Sequence, residues 1–209
     1  MSAEHPIRVL SVDDHPALRE GIATIINCQS DMQLIASACT GQEAIAKYRE
    51  LKPDVTLMDL RLPDLSGIDV VTAIRGEFKD ARIIMLTTFE GDVEIKRALA
   101  AGAHGYLLKT MPPRQMLDTI RDVYSGKKRI LPEIATHLAE HLSDEPLTAR
   151  EIDVLQHASQ GNRNRDIAKR LFISEETVKV HIKHILGKLG ATDRTHAIAV
   201  AARRGFIRL

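Results

Sequence analysis

Residues 7–125 alternate, five times over, between a short apolar run and a longer amphipathic stretch. The runs at 7–12, 32–38, 55–59, 82–86 and 105–108 are rich in Val, Ile and Leu and are bounded by Gly, Pro, Asp or Asn, as strands are. Helical periodicity occupies 16–27, 41–51, 66–77, 93–101 and 113–125 between and after them. Strands that are apolar throughout and separated by helix-length segments cannot pair as hairpins. They form a parallel sheet covered by helices on both faces, so this part is expected to be an α/β fold with a five-stranded doubly wound sheet.

After Ser125-Gly126 the period changes and no convincing strand follows. Pro132 opens a helix-like stretch reaching Leu142, and Ser143-Asp144-Glu145-Pro146 breaks it. Residues 147–209 then read as helix alone. Thr148 and Glu151 form a capping box for a helix ending near Gly161, Asn164 is placed to cap a short helix through Leu171, and Ser174 and Asp193 cap two more. This gives a three-part organisation: an α/β domain over 1–125, a linker with a helix over 126–144, and a small all-α domain over 145–209.

Charge follows the same division. Residues 1–126 carry 14 Lys+Arg against 18 Asp+Glu, a balance of −4, and residues 127–209 carry 15 against 10, a balance of +5. A basic second part suits an anionic partner. No apolar run approaches the roughly 18 residues of a membrane span, and the N-terminus lacks an export signal, so a cytoplasmic protein with no membrane partner is expected. The two cysteines, Cys28 and Cys39, have no metal-binding spacing and read as buried thiols in a reducing compartment.

Chemistry concentrates at strand ends. Asp13 and Asp14 follow the first strand, Asp59 ends the third, Thr87 and Thr88 follow the fourth, and Lys109 follows the fifth. In a doubly wound sheet these ends converge in the crevice where ligands bind. Acids that close repel unless a hard cation lies among them, and Mg²⁺ suits such an oxygen-rich set. With a lysine and a hydroxyl beside them, the group is suited to phosphoryl transfer onto Asp59. His15 reads as a residue at the helix start rather than a catalyst.

In the second part, Ser174 to Leu189 places Val178, Ile182, Ile185, Leu186 and Leu189 on one apolar stripe. Val180 lies nearly opposite, flanked by Lys183 and His184, with Lys179 at the boundary. An apolar side chain among bases on the solvent side fits a major groove, where it can touch a thymine methyl. The short helix before it, joined through Phe172-Ile173-Ser174, completes a helix-turn-helix whose second helix is the reader. His181 and His184 lack a third ligand and are not a metal site.

These motifs converge on a family. Val12-Asp13-Asp14-His15-Pro16, Leu57-Met58-Asp59 through Ser66-Gly67, Leu86-Thr87-Thr88 and Gly105-Tyr106-Leu107-Leu108-Lys109-Thr110 resemble the flavodoxin-like receiver domain of bacterial two-component response regulators. Leu147-Thr148-Ala149-Arg150-Glu151, Asn164 to Ala168 and Ile173 to His181 resemble the LuxR-type DNA-binding domain, and together they resemble the NarL/FixJ subfamily. The resemblance implies that a sensor histidine kinase phosphorylates Asp59. It implies Mg²⁺ held by Asp14, Asp59 and the Arg61 carbonyl, with Asp13 acting through water. Thr87 and Tyr106 would be a switch pair, and Lys109 a phosphate contact. Double-stranded DNA would meet Lys179, Val180 and Lys183 at its bases and Thr177 and His181 at its backbone, with the protein a homodimer there. Two positions depart from the common pattern. Thr110 stands where a proline, with a cis bond before it, is frequent. Arg61 and Phe89 are bulky beside the path of a hydrolytic water and would slow loss of the phosphoryl group.

Two other readings compete. An Asp-nucleophile phosphatase usually needs a second Asp two residues after the first, where this chain has Arg61, so no enzyme is expected. A DNA-binding protein using its first domain only for dimerisation, independent of phosphate, would show the same helical half.

Overall fold

The computed structural model describes residues 5–88, 91–130, 132–141 and 144–207. The chain divides into two compact units.

The first is built on a six-stranded parallel sheet in the order β2-β1-β3-β4-β5-β6. Its strands are β1 (Ile7–Val12), β2 (Met32–Ala38), β3 (Val55–Asp59), β4 (Ile83–Thr87), β5 (Gly105–Leu108) and β6 (Arg129–Ile130). The helices are α1 (Pro16–Asn27), α2 (Gly41–Leu51), α3 (Gly67–Glu77), α4 (Asp92–Ala100) and α5 (Pro113–Tyr124), with α6 (Pro132–Glu140) after β6. Every residue of β3 and β4 is buried, as central strands covered on both faces require. The described residues contain no cis peptide bond.

Two expectations need correcting. The sheet has a sixth strand, β6, inside the segment 126–144 that sequence assigned to a linker. Only two residues pair, Arg129 with Gly105 and Ile130 with Tyr106, too few for any periodicity to show. Cys28 and Cys39 are exposed, because each lies in a connection: Cys28 is the C-cap of α1, and Cys39 stands between β2 and Thr40, the N-cap of α2.

Reversal of strand order falls between β1 and β3, which places the crevice at their carboxyl ends. Register keeps those ends level. Val12 pairs with Met58, Asp59 with Leu86, and Thr87 with Leu108, so Asp13, Asp59, Thr87 and Lys109 emerge side by side. The loop after β3 is fastened at several points. The Leu60 amide donates to the Leu86 carbonyl at 3.0 Å, and the Gly67 amide returns to the Leu60 carbonyl at 2.9 Å. Asp64 accepts the Gly41 and Gln42 amides at 2.7 and 3.0 Å, serving the first turn of α2 from another part of the chain.

The second unit holds α7 (Ala149–Ser159), α8 (Asn164–Leu171), α9 (Glu175–Leu189) and α10 (Arg194–Arg204). Its core joins Val154, Leu155, Ile167, Val178, Ile185 and Ala201. The capping box at Thr148 and Glu151 is present, and Ser174 and Asp193 cap α9 and α10 through the Thr177 and His196 amides. The N-cap of α8 is Arg163 rather than Asn164; the Asn164 side chain instead accepts from Arg194 at 3.2 Å. Phe172 closes α8 in the left-handed region at φ 53°, which ends the helix sharply enough for Ile173 to fold onto the core.

A Cβ on Gly67 would lie 2.0 Å from the Asp59 carbonyl oxygen, whereas one on Gly76, later in the same helix, would meet nothing within 4 Å. Gly67→Ala should therefore lower stability by about 1–3 kcal/mol through displaced backbone. Gly76→Ala should raise it by about 0.5–1 kcal/mol through helix propensity. Urea midpoints of the two variants against the parent check both signs.

Candidate functional site: an acidic crevice and a basic reading helix

The crevice is organised by one ammonium. Lys109 Nζ lies 2.6 Å from Asp13 Oδ2 and 2.8 Å from Asp59 Oδ2. Asp13 and Asp59 are buried, and the lysine side chain is 10% exposed. Among the described residues the ammonium is what contacts these two oxygens, so the shared charge holds them. Backbone bonds fix all three residues. The Asp13 amide donates to the Ala38 carbonyl at 3.1 Å, and the Lys109 amide donates to the Thr87 carbonyl at 2.7 Å. The Arg61 amide reaches Asp59 Oδ1 at 3.3 Å, turning the chain back over the acid.

Charge and burial oppose each other in this crevice. Burial raises the Asp59 carboxyl above its usual range, against the pull of Lys109 and with help from the Asp13 charge. Burial also works against the charge on Lys109, yet its two carboxylates outweigh that and its pKa is raised. Two buried acids on one lysine leave a net negative charge, and exposed Asp14 adds to it at the rim.

Asp13, Asp14, His15 and Asp59 each offer a ligand atom within 4.8 Å of the others. Two buried carboxylates that share one ammonium, with a third carboxylate beside them, are hard donors short of positive charge and fit a small dication. Thr87 is buried at the end of β4, and Tyr106 is fully enclosed in β5. The Arg61 side chain is exposed, and Phe89 lies outside the described residues. Sequence reasoning read His15 as a helix-start residue, which it is as the N-cap of α1, and did not foresee its contact with the acids. Its ring Nδ1 stands 2.6 Å from Asp14 Oδ1 and 3.2 Å from Asp13 Oδ1. Its position beside the acid pair was the available signal.

On α9, Val178 and Ile185 are buried and Ile182, Leu186 and Leu189 pack against the same core. Val180 is 47% exposed, and Lys179, Lys183 and His184 are exposed beside it, while Thr177 and His181 are half-buried. Lys179 pairs with Glu176 at 3.1 Å, a surface contact of little strength. Thr177 Oγ1 lies 2.8 Å from Ser174 Oγ at the helix start. No described helix is long and apolar enough to cross a membrane.

Comparison with known proteins places a family on each part of the chain. Residues 9–121 match the family described as the response regulator receiver domain, and residues 145–201 match the luxR family of bacterial regulatory proteins. The transcriptional regulatory protein YxjL of Bacillus subtilis strain 168 is 41% identical over 214 residues, covering 96% of this chain and 97% of that protein. The response regulator protein VraR of Staphylococcus aureus is 37% identical, covering 96% and 99%. Among solved structures, the response regulator ChrA of a heme-sensing two-component system superposes with TM-score 0.58 at 37% identity, covering 97% and 99%. An RcsB–DNA complex superposes with TM-score 0.72 over 95% and 99%, and at 22% identity it supports the fold alone. The chain belongs to the two-component response regulators that join a receiver domain to a LuxR-type helix-turn-helix, a family of DNA-binding transcription regulators.

The crevice makes a prediction independent of partners. Because the folded pKa of Asp59 lies above its unfolded value, ionisation of Asp59 costs stability. That cost is complete above the folded pKa and absent below the unfolded value of about 3.9. Asp59→Asn in a chelator should therefore melt higher than the parent at neutral pH. The difference should shrink as pH falls and vanish below about 3.9. Thermal denaturation across pH reads it directly.

Proposed function

We propose that this regulator is switched by phosphoryl transfer to Asp59 from a phosphohistidine of a sensor histidine kinase, and that the phosphorylated form binds double-stranded DNA as a homodimer. The observation that carries the reading is the Lys109 ammonium shared by Asp13 and Asp59 at the crevice of the sheet. A carboxylate oxygen of Asp59 attacks phosphorus as the P–N bond to the kinase histidine breaks, and the freed imidazole nitrogen takes up a proton. Lys109 is placed to exchange its contact with Asp59 for one with the incoming phosphoryl oxygens. Thr87, whose carbonyl already accepts the Lys109 amide, supplies a hydroxyl on the neighbouring strand. Asp14, Asp59 and the Arg61 carbonyl would hold Mg²⁺, with Asp13 acting through water. Bound there, the ion would neutralise charge on the transferred group.

Phosphorylation adds about one to two negative charges where acids already crowd, so the groups around Asp59 must rearrange. Thr87 and enclosed Tyr106 lie on adjacent strands and form the switch pair. The receiver occupies 1–125 with β6 appended, 126–144 links, and 145–209 reads DNA. Lys179, Val180 and Lys183 face base edges, while Thr177 and His181 face the backbone. Two reading helices of a dimer would meet half-sites about one helical turn apart.

DNA retention of genomic fragments, with and without acetyl phosphate and Mg²⁺, tests the whole chain of events. Acetyl phosphate should tighten binding by the parent and leave Asp59→Asn unaffected. Equal affinity under both conditions would instead make the receiver a phosphate-independent dimerisation module. Lys179→Ala should cost about 1–3 kcal/mol of discrimination at one base pair. His181→Ala should weaken binding to all sequences about alike, because a backbone contact carries no base information. Arg61→Ala combined with Phe89→Ala should shorten the lifetime of the phosphorylated protein; an unchanged lifetime removes both residues from the path of the hydrolytic water.

A further inference from the structure

We propose that His15 is a nitrogen donor to the cation of the acidic crevice, and that it biases this site toward Mn²⁺ and other transition-metal dications over Mg²⁺. The proposal rests on the reading of the crevice as a cation site and adds a ligand that reading does not contain.

His15 occupies the N-cap of α1, a place where a short polar side chain normally accepts an amide of the first turn. Its side chain makes no such bond. The ring turns instead to the acids, with Nδ1 at 2.6 Å from Asp14 Oδ1 and 3.2 Å from Asp13 Oδ1. The backbone holds it there. The His15 amide donates to Asp13 Oδ1 at 2.8 Å, and Arg19 clamps the Asp13 carbonyl at 2.7 Å. At 70% exposure the side chain supports no core, so packing does not account for its placement.

The spacing is that of neighbouring ligands on one ion. Two donors bonded at about 2.1 Å and at right angles lie about 3 Å apart, and Nδ1 and Asp14 Oδ1, at 2.6 Å, need separate only slightly to share an ion. A proton shared between ring and carboxylate satisfies this geometry in the absence of an ion; a dication would replace it. The donor set then changes character. Carboxylates and a carbonyl alone suit Mg²⁺, whereas an imidazole adds affinity for Mn²⁺, Co²⁺ or Ni²⁺ and little for Mg²⁺.

The test uses the full-length protein and metal alone. Electron spin echo envelope modulation of the Mn²⁺-loaded parent should show a directly bound imidazole nitrogen, altered by ¹⁵N-histidine labelling and lost in His15→Ala. Calorimetric titration should give about a tenfold loss of Mn²⁺ affinity in His15→Ala, with Mg²⁺ affinity changed less than about twofold. Absence of nitrogen coupling in the labelled parent overturns the proposal without recourse to any variant, and so do equal changes for both ions. If the parent binds both ions without nitrogen coupling and Asp14→Asn abolishes binding, the cation site stands and His15 is no ligand. If the parent binds neither ion, or Asp14→Asn binds them as well as the parent, the reading of the crevice falls as well.

Discussion

One lysine between two buried carboxylates sets the terms for the receiver. Lys109 is attracted to Asp13 and Asp59 at 2.6 and 2.8 Å, but two acids exceed one base, and burial penalises every charge in the group. A fold would not retain this for stability, because an apolar trio of the same volume would be at least as favourable. The arrangement makes sense as a site left short of positive charge. Anything that supplies it, or that converts Asp59 into a larger anion needing the ammonium elsewhere, changes the balance among fixed strands.

Much of this was legible in the residues, and for identifiable reasons. Strand limits were clear because β1, β3 and β4 are apolar at most positions and run into Asp or Thr at their carboxyl ends. Caps at Thr148, Ser174 and Asp193 were clear because each uses a side chain suited to one backbone donor. Convergence of Asp13, Asp59, Thr87 and Lys109 followed from topology alone, and register brought them level. The features that escaped depend on distance between segments far apart in sequence. The pairing of β6 has no period of its own, Asp64 serves the first turn of α2 across 23 residues, and Gly67 is required only because the Asp59 backbone passes so close. The cysteines were misplaced because residue type predicts burial on average, while position at the ends of elements decides it.

Helix α9, the proposed reader, meets two demands on one segment. Its buried stripe must seat Val178 and Ile185 in the core, which fixes its rotation and leaves Val180 outward at 47% exposure. An isolated exposed valine is ordinary. Its meaning comes from the bases beside it and from the sharp end of α8, where Phe172 adopts a left-handed conformation and is 94% exposed.

Signal and framework are kept apart within the receiver. The sheet is stiff, since Val12, Met58, Ile84 and Met85 are enclosed and paired, so no strand can slide without losing register. The Lys109 amide is bonded to the Thr87 carbonyl at 2.7 Å, which ties the carboxyl ends of β4 and β5 together. A change of partner at the lysine head, as the proposed phosphorylation requires, would therefore pull on the threonine's strand end as well as its own. Two neighbouring strand ends joined by one hydrogen bond, with one ammonium shared between two anions, are the parts from which the proposed switch would be built, and they need no long pathway.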